Sequence, residues 1–168
     1  MGPARRAAYP EETMPTRDPH LITVRSERRI ALDPSTVWSM LADHRFDAIW
    51  REGVEEMSQD TTGTVRNGTR TVEQFRSLGQ RTTNTAIISR VEPGVAFSWA
   101  STSGTDADGE RRIEPVEGGV RVVLTTTSRP GSRIERMLGP LIGSSLRRAL
   151  DRSLERFEDL VLESAHRL

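Results

Sequence analysis

The C-terminal part of this chain carries an apolar repeat that narrows its fold more than any other feature. Ile134, Met137, Leu138, Leu141, Ile142, Leu146, Leu150, Leu154, Phe157, Leu160 and Val161 recur at three- and four-residue steps. Arg147, Arg148, Asp151, Arg152, Glu155 and Glu158 occupy the other face, so the segment reads as a long amphipathic helix with one side to bury. Proline removes a backbone donor and clashes with the preceding turn, so Gly139-Pro140 predicts a kink or a restart. Beyond it, residues 141–164 make an uninterrupted helix of roughly 35 Å at 1.5 Å per residue. The charged face, with acids and arginines at four-residue spacing, reads as a self-compensating solvated surface.

The sequence upstream supplies strands for that helix to cover. Ile22, Val24, Ser26, Arg28 and Ile30 alternate with Thr23, Arg25, Glu27 and Arg29, the period of a strand with one buried face, and Arg28 is the odd member of the inward set. Asp33-Pro34-Ser35 supplies an N-cap and a proline at the first helical position, opening a short helix through Val37, Trp38 and Leu41 to about Asp43. Residues 44–53 are less regular, with room for a second helical turn. Strands are then expected over 54–59, 68–77, 81–91, 95–100, 110–115 and 120–128. Asn67-Gly68, Leu78-Gly79-Gln80, Glu92-Pro93-Gly94 and Glu117-Gly118-Gly119 supply turn chemistry between them. The result is an α+β chain with about seven antiparallel strands and one long C-terminal helix.

At 168 residues the chain fits one domain. Residues 1–20, with Pro3, Pro10, Pro15 and Pro19 among small and charged residues, are expected to form a flexible tail, and residues 21–165 the domain. Met14 is a second start, which leaves open whether residues 1–13 belong to the native protein. Aromatic residues make up only 5%, so Trp38, Trp50 and Trp99 are the few large pieces available to a core of Val, Ile, Leu and Ala. Net charge is +0, so the overall basic field that would draw in nucleic acid or an anionic membrane is absent. Cys 0 excludes disulfides and thiolate chemistry. No run reaches about 18 apolar residues, so no integral membrane association is expected, and a cytoplasmic location is the default.

Several of these pieces match a known pattern. Ile30-Ala31-Leu32-Asp33-Pro34 leading into Val37-Trp38, then Leu41-Ala42-Asp43, Trp50, Val91-Glu92-Pro93 and Glu114-Pro115-Val116-Glu117-Gly118-Gly119 resemble the START-like, or SRPBCC, superfamily. The likeness spans about residues 21–164 and is nearest to the polyketide cyclase/dehydrase and lipid-transport branch. It implies a helix-grip fold, a seven-stranded curved antiparallel sheet wrapped around the C-terminal helix, with one or two short helices after the first strand. It also implies an apolar cavity between sheet and helix that, in members resembling this chain, takes lipids, polyketides, sterols or nothing identified. These matching residues are punctuation and core, so they specify fold better than function.

Three functions follow from that reading. The first is binding of a small hydrophobic molecule or lipid, with Trp50, Met57, Phe75, Trp99, Leu141, Leu146 and Leu150 as lining. The second is a polyketide cyclase or dehydratase working through a few polar cavity residues. Candidates are His44, whose imidazole titrates near neutrality, and Glu73, which shares a face with Thr69, Thr71 and Phe75; if that face is inward, Glu73 needs a partner such as Arg28 or Arg112. Against these roles stand a helix-terminal or loop position for His44 and a solvated face for the charges. The third is an interaction or stress-related protein whose cavity is vestigial, with Trp50, Phe75 and Trp99 in mutual contact. His20, His44 and His166 have no metal-ligand spacing, so neither metal nor cofactor is expected. A homodimer is left open.

Overall fold

The computed structural model describes residues 20–77 and 79–167; the expected tail falls almost wholly outside that range. Strand β1 (Ile22–Ile30) buries Val24, Ser26 and Ile30. Helix α1 (Pro34–Leu41) starts where the Asp33 carboxylate accepts the Thr36 backbone N–H at 2.9 Å, and it buries Val37, Trp38, Met40 and Leu41. A single 3-10 turn, His44–Phe46, begins at Asp43 and runs directly into α2 (Asp47–Trp50).

Strands β2 (Val54–Gln59), β3 (Arg70–Ser77), β4 (Gln80–Glu92), β5 (Ala96–Ser103), β6 (Ala107–Val116) and β7 (Gly119–Ser128) complete one antiparallel sheet in the order β1-β7-β6-β5-β4-β3-β2. Chain neighbours pair throughout, except that β1 closes against β7 from Ile22 opposite Ser128 to Ile30 opposite Val120. Register shifts at Val54/Glu56, Thr85/Ala86 and Ser89/Glu92 increase the local twist and curl the sheet into a half-barrel. Arg90, with φ of 50°, takes up the left-handed backbone at the last of these.

Helix α3 (Arg133–Met137) opens with a capping box between Ser132 and Glu135, and Leu138 separates it from α4 (Gly139–Ala165), as Gly139-Pro140 predicts. Near its start α4 lies against the end of β1, where a Cβ at Gly143 would make ordinary contact with Ile22 Cγ2 at 3.4 Å. The two halves of α4 differ in burial. Its C-terminal half drives Leu154, Phe157 and Val161 into the core, with the Phe157 ring 5.0 Å from that of Trp50. Its N-terminal half touches the sheet along β1 but is less buried, and a cavity lies beneath it.

The charged face of α4 departs from expectation. Its acids reach across to the sheet instead of along the helix: Asp151 accepts from Ser26, and Glu155 and Glu158 hold Arg28. Arg152 pairs with Glu52 in the segment after α2. Cross-element partners fix the helix on the sheet, whereas pairs within the helix would only stiffen it. Arg147 and Arg148 are consequently left without ion-pair partners among the described residues.

Truncating Phe157 to Ala removes the ring that joins α4 to α2. Equilibrium urea unfolding should show a loss of about 3–5 kcal/mol.

Candidate functional site

The site starts from a charge that has no access to water. Asp47, 0% exposed, sits at the first position of α2. Its Oδ1 accepts from Arg111 at 2.9 Å, and its Oδ2 takes the same guanidinium, Arg51 at 3.2 Å and His44 Nδ1 at 2.9 Å. Arg111, on the inward face of β6, also donates to the Leu41 carbonyl at 3.0 Å. Its guanidinium carbon lies 5.1 Å from the Trp50 ring centroid and 5.6 Å from that of Phe97, so two aromatic faces screen it from water. The same Arg51 Nη1 also donates to Glu73, which accepts from Asn84 Nδ2 at 3.0 Å as well. The charged chain thus runs Arg111, Asp47, Arg51, Glu73, and its two positive and two negative groups cancel.

Three of these groups, all but Asp47, border a cavity of about 190 Å³ between the sheet and the N-terminal half of α4. Trp50, Met57, Phe75, Trp99, Leu146 and Leu150 give it apolar walls, and His44, Arg51, Glu73 and Arg111 border it as well. Trp99 owes its pose to Gly109 directly opposite on β6: a Cβ there would stand 2.8 Å from the indole ring, so only glycine lets the ring lie against the strand. The mouth segment after α2 is tied to α4, because the Glu52 N–H donates to Ser153 Oγ at 2.9 Å.

Burial sets the protonation of the network. It would push the Asp47 carboxyl up, but Arg111 and the hydrogen bonds from His44 and Arg111 outweigh it and hold that carboxyl well below the usual carboxylate range. Burial and then Arg111 push the His44 imidazole down, against the opposing pull of Asp47. His44 is therefore neutral near pH 7. His44 Nδ1 lies 2.9 Å from Asp47 Oδ2 and 3.2 Å from Arg111 Nη2; the carboxylate favours the tautomer with the proton on Nδ1, which makes the buried Nε2 a bare acceptor without a partner among the described residues.

The residues singled out from sequence divide clearly. Trp50, Met57, Phe75, Trp99, Leu146, Leu150, His44 and Glu73 all border the cavity. Leu141 does not: it lies on the outer side of the first turn of α4 and is 69% exposed. Glu73 faces inward with Thr69 and Thr71, but its partner is Arg51. Arg28 is held at the flank of α4 by Glu158 and Glu155, away from the cavity. Arg112 points to the opposite face of β6, where it pairs with Glu110 at 2.8 Å. Asp47, Arg51 and Arg111 were missed. Two signals were available: the four-residue spacing of Asp47 and Arg51, and Arg111 sharing an alternating face with Ala107 and Ile113.

A curled sheet gripping a long helix over a lined cavity is the build of a START-like, helix-grip fold. The chain belongs to the polyketide cyclase / dehydrase and lipid transport family, which it matches over residues 22–161. No curated protein matches its sequence. Among solved structures it is similar to TTHA0849 from Thermus thermophilus, with 20% identity and a TM-score of 0.73 over 84% of this chain and 98% of that one. It is also similar to the Zhui aromatase/cyclase of a Streptomyces species, with 17% identity and a TM-score of 0.64 over 88% and 95% of the two chains. The di-domain ARO/CYC StfQ of the steffimycin biosynthetic pathway gives 13% identity and a TM-score of 0.70 over 89% of this chain and 54% of that one. At such identities the likeness establishes the fold.

Both pKa shifts are downward, so the stability each group contributes is present above its unfolded value and is lost as pH falls. Chemical denaturation across pH should show a first decline below about pH 6.5, from His44, and a second below about pH 4, from Asp47. Asp47→Asn leaves Arg111 buried with its charge uncompensated. It should cost about 3–5 kcal/mol at pH 7 and flatten the acid limb.

Proposed function

We propose that the protein binds a small neutral molecule, mainly apolar and carrying one carbonyl or hydroxyl oxygen, in the cavity beneath α4. The observation that carries this reading is the pairing of an apolar enclosure with a charged wall whose charges already cancel. An ionised ligand would lose its hydration and find no spare countercharge, whereas a neutral oxygen can share the hydrogen-bonding capacity of Arg51, Glu73 or Asn84. A void of about 150 Å³ suffices for benzene, so about 190 Å³ suits a molecule of one or two rings. Trp50, Phe75 and Trp99 border this space instead of filling it, which speaks against a vestigial cavity.

Native mass spectrometry of the freshly purified protein and thermal shift with 1-naphthol, 2-tetralone and 1-naphthoate test the reading. The two neutral compounds should raise the melting temperature by about 5 °C at roughly a hundredfold excess over Kd, and the carboxylate should not. Leu150→Trp, which fills the cavity from α4, should abolish the shift. Failure of both neutral compounds together with no retained ligand, or binding that survives the filled cavity, would sink the proposal.

A second reading, catalysis, rests on the Asp47–His44 contact. A neutral imidazole oriented through Nδ1 has the form of a general base, and proton removal from a carbon beside a ligand carbonyl is the step that an aldol-type ring closure requires. Arg51 and Asn84 then stand in the cavity wall as hydrogen-bond donors to the oxygen on which charge develops. Deuterium exchange at the α-carbon of bound 2-tetralone should exceed the buffer rate at least about a hundredfold. His44→Gln should remove that excess while preserving binding. Exchange no faster than in buffer leaves binding as the whole function.

A further inference from the structure

The junction of α3 and α4 presents apolar side chains to solvent in a way that neither the fold nor the cavity explains. Ile134, Met137, Leu138 and Leu141 are 70%, 82%, 46% and 69% exposed. Their spacing of three, four and seven residues aligns them across the helix break, while the core-facing side chains of α4 begin further along. They supply four of the eight large apolar side chains exposed among the described residues, all within eight positions.

Charge around the patch is one-sided although the whole chain is balanced. Between residues 130 and 150 the ionisable side chains are Arg133, Glu135, Arg136, Arg147 and Arg148. Glu135 is turned back into the capping box, accepting from the Gly131 and Ser132 backbone N–H groups. None of the four arginines has an ion-pair partner among the described residues, because the acids further along α4 are spent on β1. Among the described residues, four guanidinium groups without ion-pair partners therefore accompany four exposed apolar side chains.

We propose that this junction is a peripheral docking element for an anionic lipid bilayer. Ile134, Met137, Leu138 and Leu141 enter the boundary between headgroups and acyl chains, and the arginines lie on the phosphates. Charge complementarity selects this occupant over a second copy of the chain, since a symmetric pair would set the same arginines against each other. The position adds a reason for the contact: Leu146 and Leu150, about one and a half and two and a half turns along the same helix, line the cavity, so its N-terminal side is brought to the source of an apolar ligand. The docking proposal does not rest on what the cavity holds.

Flotation of the full chain with phosphatidylcholine vesicles, with and without phosphatidylglycerol, tests it. The protein should float with the anionic vesicles at low salt, remain behind with the neutral ones, and be released by high salt. Arg133→Ser with Arg136→Ser should lower partitioning about tenfold or more. Met137→Ser with Leu141→Ser should abolish it, and both double variants should melt as the parent does because all four side chains are exposed. Leu150→Trp should float like the parent, which separates docking from cavity binding. The proposal is overturned if the parent fails to float on anionic vesicles, if both double variants float unchanged, or if Leu150→Trp alone abolishes flotation. It is equally overturned by a patch-dependent dimer in size-exclusion chromatography without vesicle binding.

Discussion

A carboxylate sealed from water is the constraint around which this protein is arranged. Asp47 has no exposed surface, so its charge survives only because Arg111, Arg51 and His44 converge on it from β6, from the end of α2 and from the turn before it. Those contacts fix where α2 lies. They set Trp50 between the Arg111 guanidinium and Phe157, and Phe157 in turn seats the C-terminal half of α4. The interior polar chain and the interior apolar chain meet at one indole ring. A break in either displaces the other, and the wall of the cavity shifts with them.

The same arrangement explains why the helix covers the sheet unevenly. Behind Trp50, α4 is seated through Leu154, Phe157 and Val161; ahead of it, Ser153 and Arg152 tie the helix to the Glu52 segment, and the sheet curls away beneath Leu146 and Leu150. The cavity is the space between a helix anchored at one end and a sheet coiled by three register shifts. Its size is therefore a property of backbone geometry before any lining residue is chosen.

The architecture was legible in the sequence because each of its signals is local and repetitive. Alternation in 22–30, the Asp33-Pro34 cap, the turn dipeptides and the three- and four-residue apolar steps each fix one element, and Gly139-Pro140 fixes the break between the last two. The apolar lining followed for the same reason, Leu141 excepted, because the stripe shared by α3 and α4 continues beyond the point where the sheet can cover it. The polar wall was harder. Charges on a strand that curls carry no label of face, and a displacement of one residue on β6 exchanged the buried Arg111 for the surface Arg112. Glu73, whose face the sequence left open, turns inward, and its partner comes from α2, whose position depends on tertiary contacts. Pairing between distant elements is set by the assembled fold, and no short-range pattern records it.

Met57, Phe75 and Leu146 line the cavity without belonging to the buried core, whereas Trp50, Phe97, Phe157 and Leu154 hold the scaffold. Substitutions at the first set change the shape of the chamber at modest cost in stability, and those at the second put folding itself at stake. The division gives this architecture two rates of evolutionary drift. The grip can stay fixed while its contents change, so relatives with little common sequence can keep one shape and part ways over what they hold.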